Sequence, residues 1–172
     1  APAQLDVPAI QAVSALSADI LVVVAYGLFF TQRFLDLFPS GALNVHPSLL
    51  PRHRGAAPIP ASILAGDQET GVTIQRVVLR MDSGPILRRR VRILEGTETT
   101  AGLTTELADA GADLLMKSLL DIMQGAVEEV VQVEEEATYC SKVNADDGQI
   151  DWGVDDASAI ERMVRAFDPW PR

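Results

Sequence analysis

The sequence predicts an α/β fold, and three observations carry that prediction. Ile20, Leu21, Val22, Val23, Val24 and Ala25 form a largely β-branched run without polar alternation, the composition of a strand buried on both faces, as in a parallel sheet. Strand-like and helix-like segments then alternate along the chain. Finally, Leu103, Leu107, Ala110, Leu114 and Ile122 recur at helical spacing within a long segment, 97–124, that Gly125 closes.

Taken in order, a short helix is predicted over 8–18, with Pro8 in its first turn and Ile10, Val13 and Leu16 on one face. The strand over 20–25 follows. Thr31 caps a short helix through Phe38, and Pro39, Ser40 and Gly41 end it. Residues 42–46 read as a second strand. Residues 56–65 read as a helix, since Pro58 and Pro60 are tolerated near a first turn, with Gly66 closing it. Strands over 71–79 and 86–94 flank a turn-rich loop, 80–85. After the long helix, 127–133 is either a short strand or an extended linker. Glu134, Glu135 and Glu136 and the polar stretch 144–148 read as surface connection. A last helix over 156–167 is expected to turn Ile160, Met163, Val164 and Phe167 inward.

Composition excludes several classes. With 172 residues, 48% of them hydrophobic and 5% aromatic, the chain can bury a mainly aliphatic core in one domain, or in one domain and part of another. A net charge of −10 argues against a broad nucleic-acid surface. Arg88, Arg89, Arg90 and Arg92 are the local exception and read as a solvated strand edge. The single cysteine, Cys140, cannot form an internal disulfide and reads as passive. No signal peptide opens the chain, and the apolar run ending at Phe30 is about half a membrane span. A soluble cytoplasmic protein is expected. Ala1 in place of an initiator methionine, and the stop after Trp170, Pro171 and Arg172, read as cut ends. Neither a GxGxxG nor a GxxxxGK[ST] loop occurs.

The chemistry concentrates in the second strand and the loop that leaves it, in Leu43, Asn44, Val45, His46, Pro47, Ser48, Leu49, Leu50 and Pro51. Strand alternation puts Asn44, His46 and Ser48 on one face and Leu43 and Val45 on the other. An amide and an imidazole together on a buried strand each cost about 1–3 kcal/mol if unsatisfied. The carboxyl end of a strand in an open α/β sheet is where ligands bind. His46 and His53 are the only histidines, and no CxxC or HExxH spacing exists, so no metal is expected. Asp82 sits in an Asp-Ser-Gly turn, where turn chemistry alone would account for it.

As a whole, residues 43–87 resemble the folate-dependent formyltransferases. The run from His46 to Pro51, followed by Arg54 and Gly55, is similar to that family's HxSLLPxxxG signature. Asn44 stands two residues before it, and Asp82, within Met81-Asp82-Ser83-Gly84, matches its aspartate. Further stretches resemble the branch that formylates methionyl-tRNA: Arg54 to Ile59, Gly66-Asp67, Glu69 to Ile74, Ala137-Thr138-Tyr139 with Lys142, Ile150-Asp151-Trp152, and Arg165 to Pro171.

The resemblance implies a Rossmann-like formyltransferase domain over 1–125, without its first strands. A linker over 126–145 and the start of a C-terminal β-barrel over 146–172 would follow. It implies formyl transfer from 10-formyltetrahydrofolate, a co-substrate, to the amino group of initiator methionyl-tRNA, without a metal. Asn44, His46 and Asp82 would be catalytic. Ala25, Tyr26, Gly27, Leu28, Ser48, Leu49, Leu50, Pro51, Ser83 and Gly84 would line the folate site, with Arg54 helping to shape it. Most tRNA contact would come from parts of the family's fold outside this chain, and a monomer away from membranes is expected. The alternatives are formyl transfer to another amine, on a sugar nucleotide or glycinamide ribonucleotide, and an inactive fragment that retains the site residues.

Overall fold

A computed structural model describes residues 5–171. Ala1 and Arg172, at the two ends expected to be cut, lie outside the described residues.

The elements follow in the order α1 (Val7–Ser14), β1 (Leu21–Val24), α2 (Gln32–Leu35), β2 (Ala42–His46), β3 (Arg54–Gly55), α3 (Pro58–Leu64), β4 (Glu69–Arg76), β5 (Ile86–Ile93), α4 (Thr100–Gln124), β6 (Tyr139–Cys140) and α5 (Ala157–Ala166). Local chemistry accounts for most of the ends. Asp6, Thr31, Thr99 and Asp156 each accept a backbone N–H at a helix start. Gly125 ends α4 in the left-handed conformation.

Four strands form one sheet in the order β1-β2-β4-β5. β1 and β2 are parallel, β2 and β4 antiparallel, and β4 and β5 an antiparallel pair, as the Rossmann-like expectation requires for the first two. β3 and β6 make a separate two-stranded parallel pair. Neither was anticipated, because two-residue strands carry no periodicity.

Two apolar clusters hold the layers together. Leu43, Val72 and Ile74 from the sheet pack with Leu114 of α4. Ile59 and Ile63 of α3, Leu103 and Leu107 of α4, and Ala166 and Phe167 at the end of α5 form the second.

Several expectations need correction. β1 is an edge strand here: only Val23 is buried, and Val22 and Val24 are exposed, so it is not covered on both faces. α1 stops at Ser14, and Leu16 lies beyond it in solvent. On α5, Met163 packs inward but Val164 is exposed. The stretch 146–171, read as the start of the C-terminal domain, holds the end of a 3-10 turn and α5.

The arginine run is more than a solvated edge. β5 is an edge strand, but Arg88 pairs with Asp121 at 2.9 Å, Arg90 with Asp113 at 3.5 Å and Arg92 with Glu106 at 2.8 Å, all carboxylates of α4. Alternation sends these three arginines toward the helix and Arg89 to the other face; Arg89 and Arg90 are both exposed. Among the described residues no helix is long and apolar enough to cross a membrane.

Candidate active site

The register of β2 against β4 sets the site. Leu43 faces Arg76 and Val45 faces Ile74, while Asn44 faces Gln75 and His46 faces Thr73. Leu43, Val72 and Ile74, with Val45 against them, turn to α4. Alternation gives the opposite face to Asn44, His46, Thr73 and Gln75. A register shift at Ile74/Gln75 interrupts the β4–β5 ladder here, the kind of irregularity that re-aims a side chain.

The β4–β5 loop returns over this polar face and delivers Asp82 from a left-handed backbone, φ 49°. Asp82 Oδ1 accepts from Asn44 Nδ2 at 3.2 Å and from Gln75 Nε2 at 2.9 Å. Its Oδ2 accepts the Gly55 backbone N–H at 2.9 Å. His46 Nδ1 lies 3.7 Å from Oδ1. Asn44, His46 and Asp82, separated by up to 38 positions in the chain, thus meet beside the carboxyl end of β2.

His46 is buried, with 4% of its surface exposed. Its Nε2 lies 2.9 Å from the His53 carbonyl oxygen. A carbonyl only accepts, so Nε2 carries the hydrogen and the neutral ring turns the Nδ1 lone pair toward Asp82. Burial pushes the imidazole pKa below its ordinary value; the Asp82 carboxylate and the His53 carbonyl pull the other way without prevailing. His53 offers its carbonyl from a left-handed backbone, φ 56°. That residue is pinned by an N–H bond to Thr138 Oγ1 at 2.8 Å and a ring contact with Asp67 at 2.7 Å.

Two glycines are needed where backbones close on each other. A Cβ on Gly55, at φ 122°, would stand 2.1 Å from the Cys140 carbonyl oxygen, because β3 lies directly against β6. A Cβ on Gly84 would stand 1.9 Å from the Arg76 carbonyl oxygen, so only glycine lets the Asp82 loop press against β4.

The other expected site residues differ in exposure. Ser48 is fully buried, and its hydroxyl donates to the Arg52 carbonyl at 2.6 Å. Leu50 and Pro51 are buried, with the Leu50 N–H bonded to Thr73 Oγ1 at 3.2 Å; Leu49 is half-buried. Ser83 donates to the Arg80 carbonyl at 3.0 Å. Ala25 has φ 49°, Gly27 and Leu28 are exposed, and nothing lies within 4 Å of a Cβ built on Gly27. Tyr26 stacks on Phe30 with ring centres 5.5 Å apart. Since Val24 pairs with Val45, residues 25–28 leave β1 at the same end of the sheet at which His46 closes β2.

Sequence reasoning missed Gln75, the Gly55 N–H and Gln132. Gln75 carried a signal, since strand alternation puts it on the same face as Thr73, opposite Val72 and Ile74. Gln132 carried none. The guanidinium of Arg54, fully buried, donates to Gln132 Oε1 at 3.0 and 2.9 Å, to Glu134 at 2.9 Å and to the Tyr139 hydroxyl at 3.0 Å. Glu134 is therefore not mere surface connection; it also pairs with Arg80. Cys140 is half-buried, and burial pushes its thiol pKa up, in keeping with a passive residue. Among the described residues no group of three or more His, Cys, Asp and Glu could hold a metal ion.

The chain matches the family model described as Formyl transferase over residues 2–119, and the one described as Formyl transferase, C-terminal domain, over 142–172. It is 48% identical over 170 residues to a methionyl-tRNA formyltransferase of Treponema pallidum strain Nichols, covering 99% of this chain and 53% of that protein. The counterpart from a second strain, of Treponema pallidum subsp. pallidum, matches equally. The chain thus spans about half the length of these curated relatives. HypX from Aquifex aeolicus in complex with tetrahydrofolic acid superposes with a TM-score of 0.81 at 20% identity, covering 94% of this chain and 28% of that one. An N-formyltransferase from Helicobacter canadensis superposes at 0.69 and 23% identity, covering 77% and 50%. At such identities the likeness is one of fold.

Proposed function

Because the chain belongs to the formyl transferase family, we propose that it carries the reaction centre for formyl transfer from 10-formyltetrahydrofolate to the amino group of methionyl-tRNA. The observation that carries this reading is the meeting of Asn44, His46 and Asp82 around one carboxylate at the end of β2. The choice of acceptor rests on the relatives at 48% identity.

The amine nitrogen forms a bond to the formyl carbon, and the carbonyl oxygen becomes anionic. Asn44 uses one amide hydrogen on Asp82 and keeps the other for that oxygen. One good donor of this kind contributes about 2.7–4 kcal/mol to the transition state. His46 offers the Nδ1 lone pair, takes the amine proton there, and returns it to the folate nitrogen as the old C–N bond breaks. Asp82, at 3.7 Å, stabilises the imidazolium in between. Burial keeps His46 neutral and ready at pH 7.

The folate is read as lying over 25–28 and the Ser83-Gly84 turn. The open space at Gly27 and the exposed Leu28 suit an apolar ring. Ser48, Leu50 and Pro51 are read as shaping the wall from beneath, with Leu49 the half-buried member. Residues 1–125 are read as the catalytic domain, 126–145 as the linker and 146–172 as part of the C-terminal domain. The partner is initiator methionyl-tRNA, and the setting is the cytoplasm.

The test is a formylation assay on the complete polypeptide that carries this sequence, with one formyl donor and three acceptors: methionyl-tRNA, an amino-sugar nucleotide and glycinamide ribonucleotide. Preference for methionyl-tRNA is expected. Preference for either small amine would replace the acceptor, and no transfer to any would reject the reading.

A further inference from the structure

We propose that Gln132, in the segment after α4, is a positioning residue that holds the Asp82 loop in its working conformation. The inference rests on the reading of Asp82 as part of the reaction centre. Its basis is separate: the hydrogen bonds of one side chain.

The segment containing Gln132 is seated by a bridge, with the Ile86 N–H bonded to the Val130 carbonyl at 2.8 Å and the return bond at 2.9 Å. The pairing is antiparallel, so two residues further on Gln132 comes level with Gly84. Val130, Val131 and Val133 are exposed, whereas Gln132 is buried. A glutamine buried between exposed valines is the reverse of what hydrophobicity would select.

Every hydrogen-bonding position of this amide is used. Nε2 donates to the Asp82 and Gly84 carbonyl oxygens, both at 2.8 Å, with Gln75 Oε1 a third oxygen at 3.3 Å. Oε1 accepts twice from Arg54, at 3.0 and 2.9 Å. Carbonyls only accept and guanidinium only donates, so the amide cannot be turned over. Gln132 thus ties both residues flanking Ser83 to Arg54, next to Gly55, whose N–H holds the Asp82 carboxylate. Asp82 is gripped at its carboxylate by β2, β3 and β4, and at its carbonyl by Gln132. The left-handed backbone of Asp82, φ 49°, needs such support, because a non-glycine residue there is disfavoured.

Two variants separate the two ends of the amide. Gln132→Glu keeps an acceptor for Arg54 but sets a carboxylate oxygen against two carbonyls. Gln132→Met abolishes all the bonds at nearly constant length. In the complete polypeptide both should lower kcat by roughly tenfold to a hundredfold, the scale of a small misplacement of a reacting group. KM for the folate donor, read as lying on the Ser83-Gly84 turn, should rise by a smaller factor than kcat falls. A second readout, independent of turnover, is the NMR titration of the His46 imidazole in Gln132→Met. The groups facing that ring are Asp82, His53 and the His53 carbonyl, and of these only Asp82 is loosened. Its midpoint should move to lower pH, because the raising influence of the carboxylate is weakened. A folded Gln132→Glu protein with native kcat, or a Gln132→Met protein with an unmoved His46 midpoint, would overturn the proposal. No formyl transfer by the unsubstituted protein would instead count against the functional reading, and the His46 titration would still decide this one.

Discussion

Replacing Asp82 by asparagine is the sharpest perturbation of the site, because it changes almost no volume. The carboxylate is surrounded by donors: Asn44 and Gln75 on Oδ1, and the Gly55 N–H on Oδ2. An asparagine presents one acceptor and one donor group. In either orientation its NH2 points at an N–H, facing Gly55 or facing the two amides. Gln75 could turn its own amide only by giving up its alignment with Gln132. At least one buried donor is therefore left unmet, at about 1–3 kcal/mol. A neutral amide is less costly to bury than a carboxylate, which offsets part of this. Net destabilisation of about 1 kcal/mol lowers Tm by roughly 2–4 °C for a chain of this size. Thermal unfolding of Asp82→Asn beside the unsubstituted protein measures it. A variant melting at the native temperature, with native turnover, would refute the donor-ring account.

Other perturbations test neighbouring parts. Arg54→Met removes four donated bonds and strands the Gln132 acceptor in a buried setting, a loss of about 1–3 kcal/mol that denaturant melts would read. Glu134 is 47% exposed, so it regains water and adds little. His46 gives a pH dependence whose sign is set by its lowered pKa. Its contribution to stability is present above the unfolded value of about 6.5 and is lost as pH falls through the folded value. Acid melts should show that loss, and it should be missing in His46→Gln. Turnover should likewise fall on the acid side of neutrality as His46 takes up a proton. Asp82→Ala should move the His46 midpoint lower still in an NMR titration; an upward move would contradict the pairing.

How much of this was legible depended on how local each signal was. The strand from Ala42 to His46 matched its expected ends, and period-two alternation alone put Asn44 and His46 on one side. Helix caps at Thr31 and Gly125 were equally local. Asp82 was different: its spacing fitted an ordinary turn, and only the resemblance of the whole segment singled it out. What stayed hidden was non-local. β3 and β6 are two residues each and pair 85 positions apart, as Arg54 with Tyr139. Gln132 sits among exposed valines and glutamates, and its burial follows from one bridge to Ile86. β1 was read as doubly buried from its composition, whereas Val22 and Val24 are exposed in this chain, which holds no further strand beyond that edge among its described residues.

The central claim is that the Asn44 amide steadies the charge that develops on the formyl oxygen. Single-turnover formylation of methionyl-tRNA by Asn44→Ala, with folate-analogue affinity measured on the same preparation, tests it most directly. The account predicts a rate lower by roughly 10²–10³-fold with affinity nearly unchanged. A rate within twofold of the unsubstituted protein would contradict it.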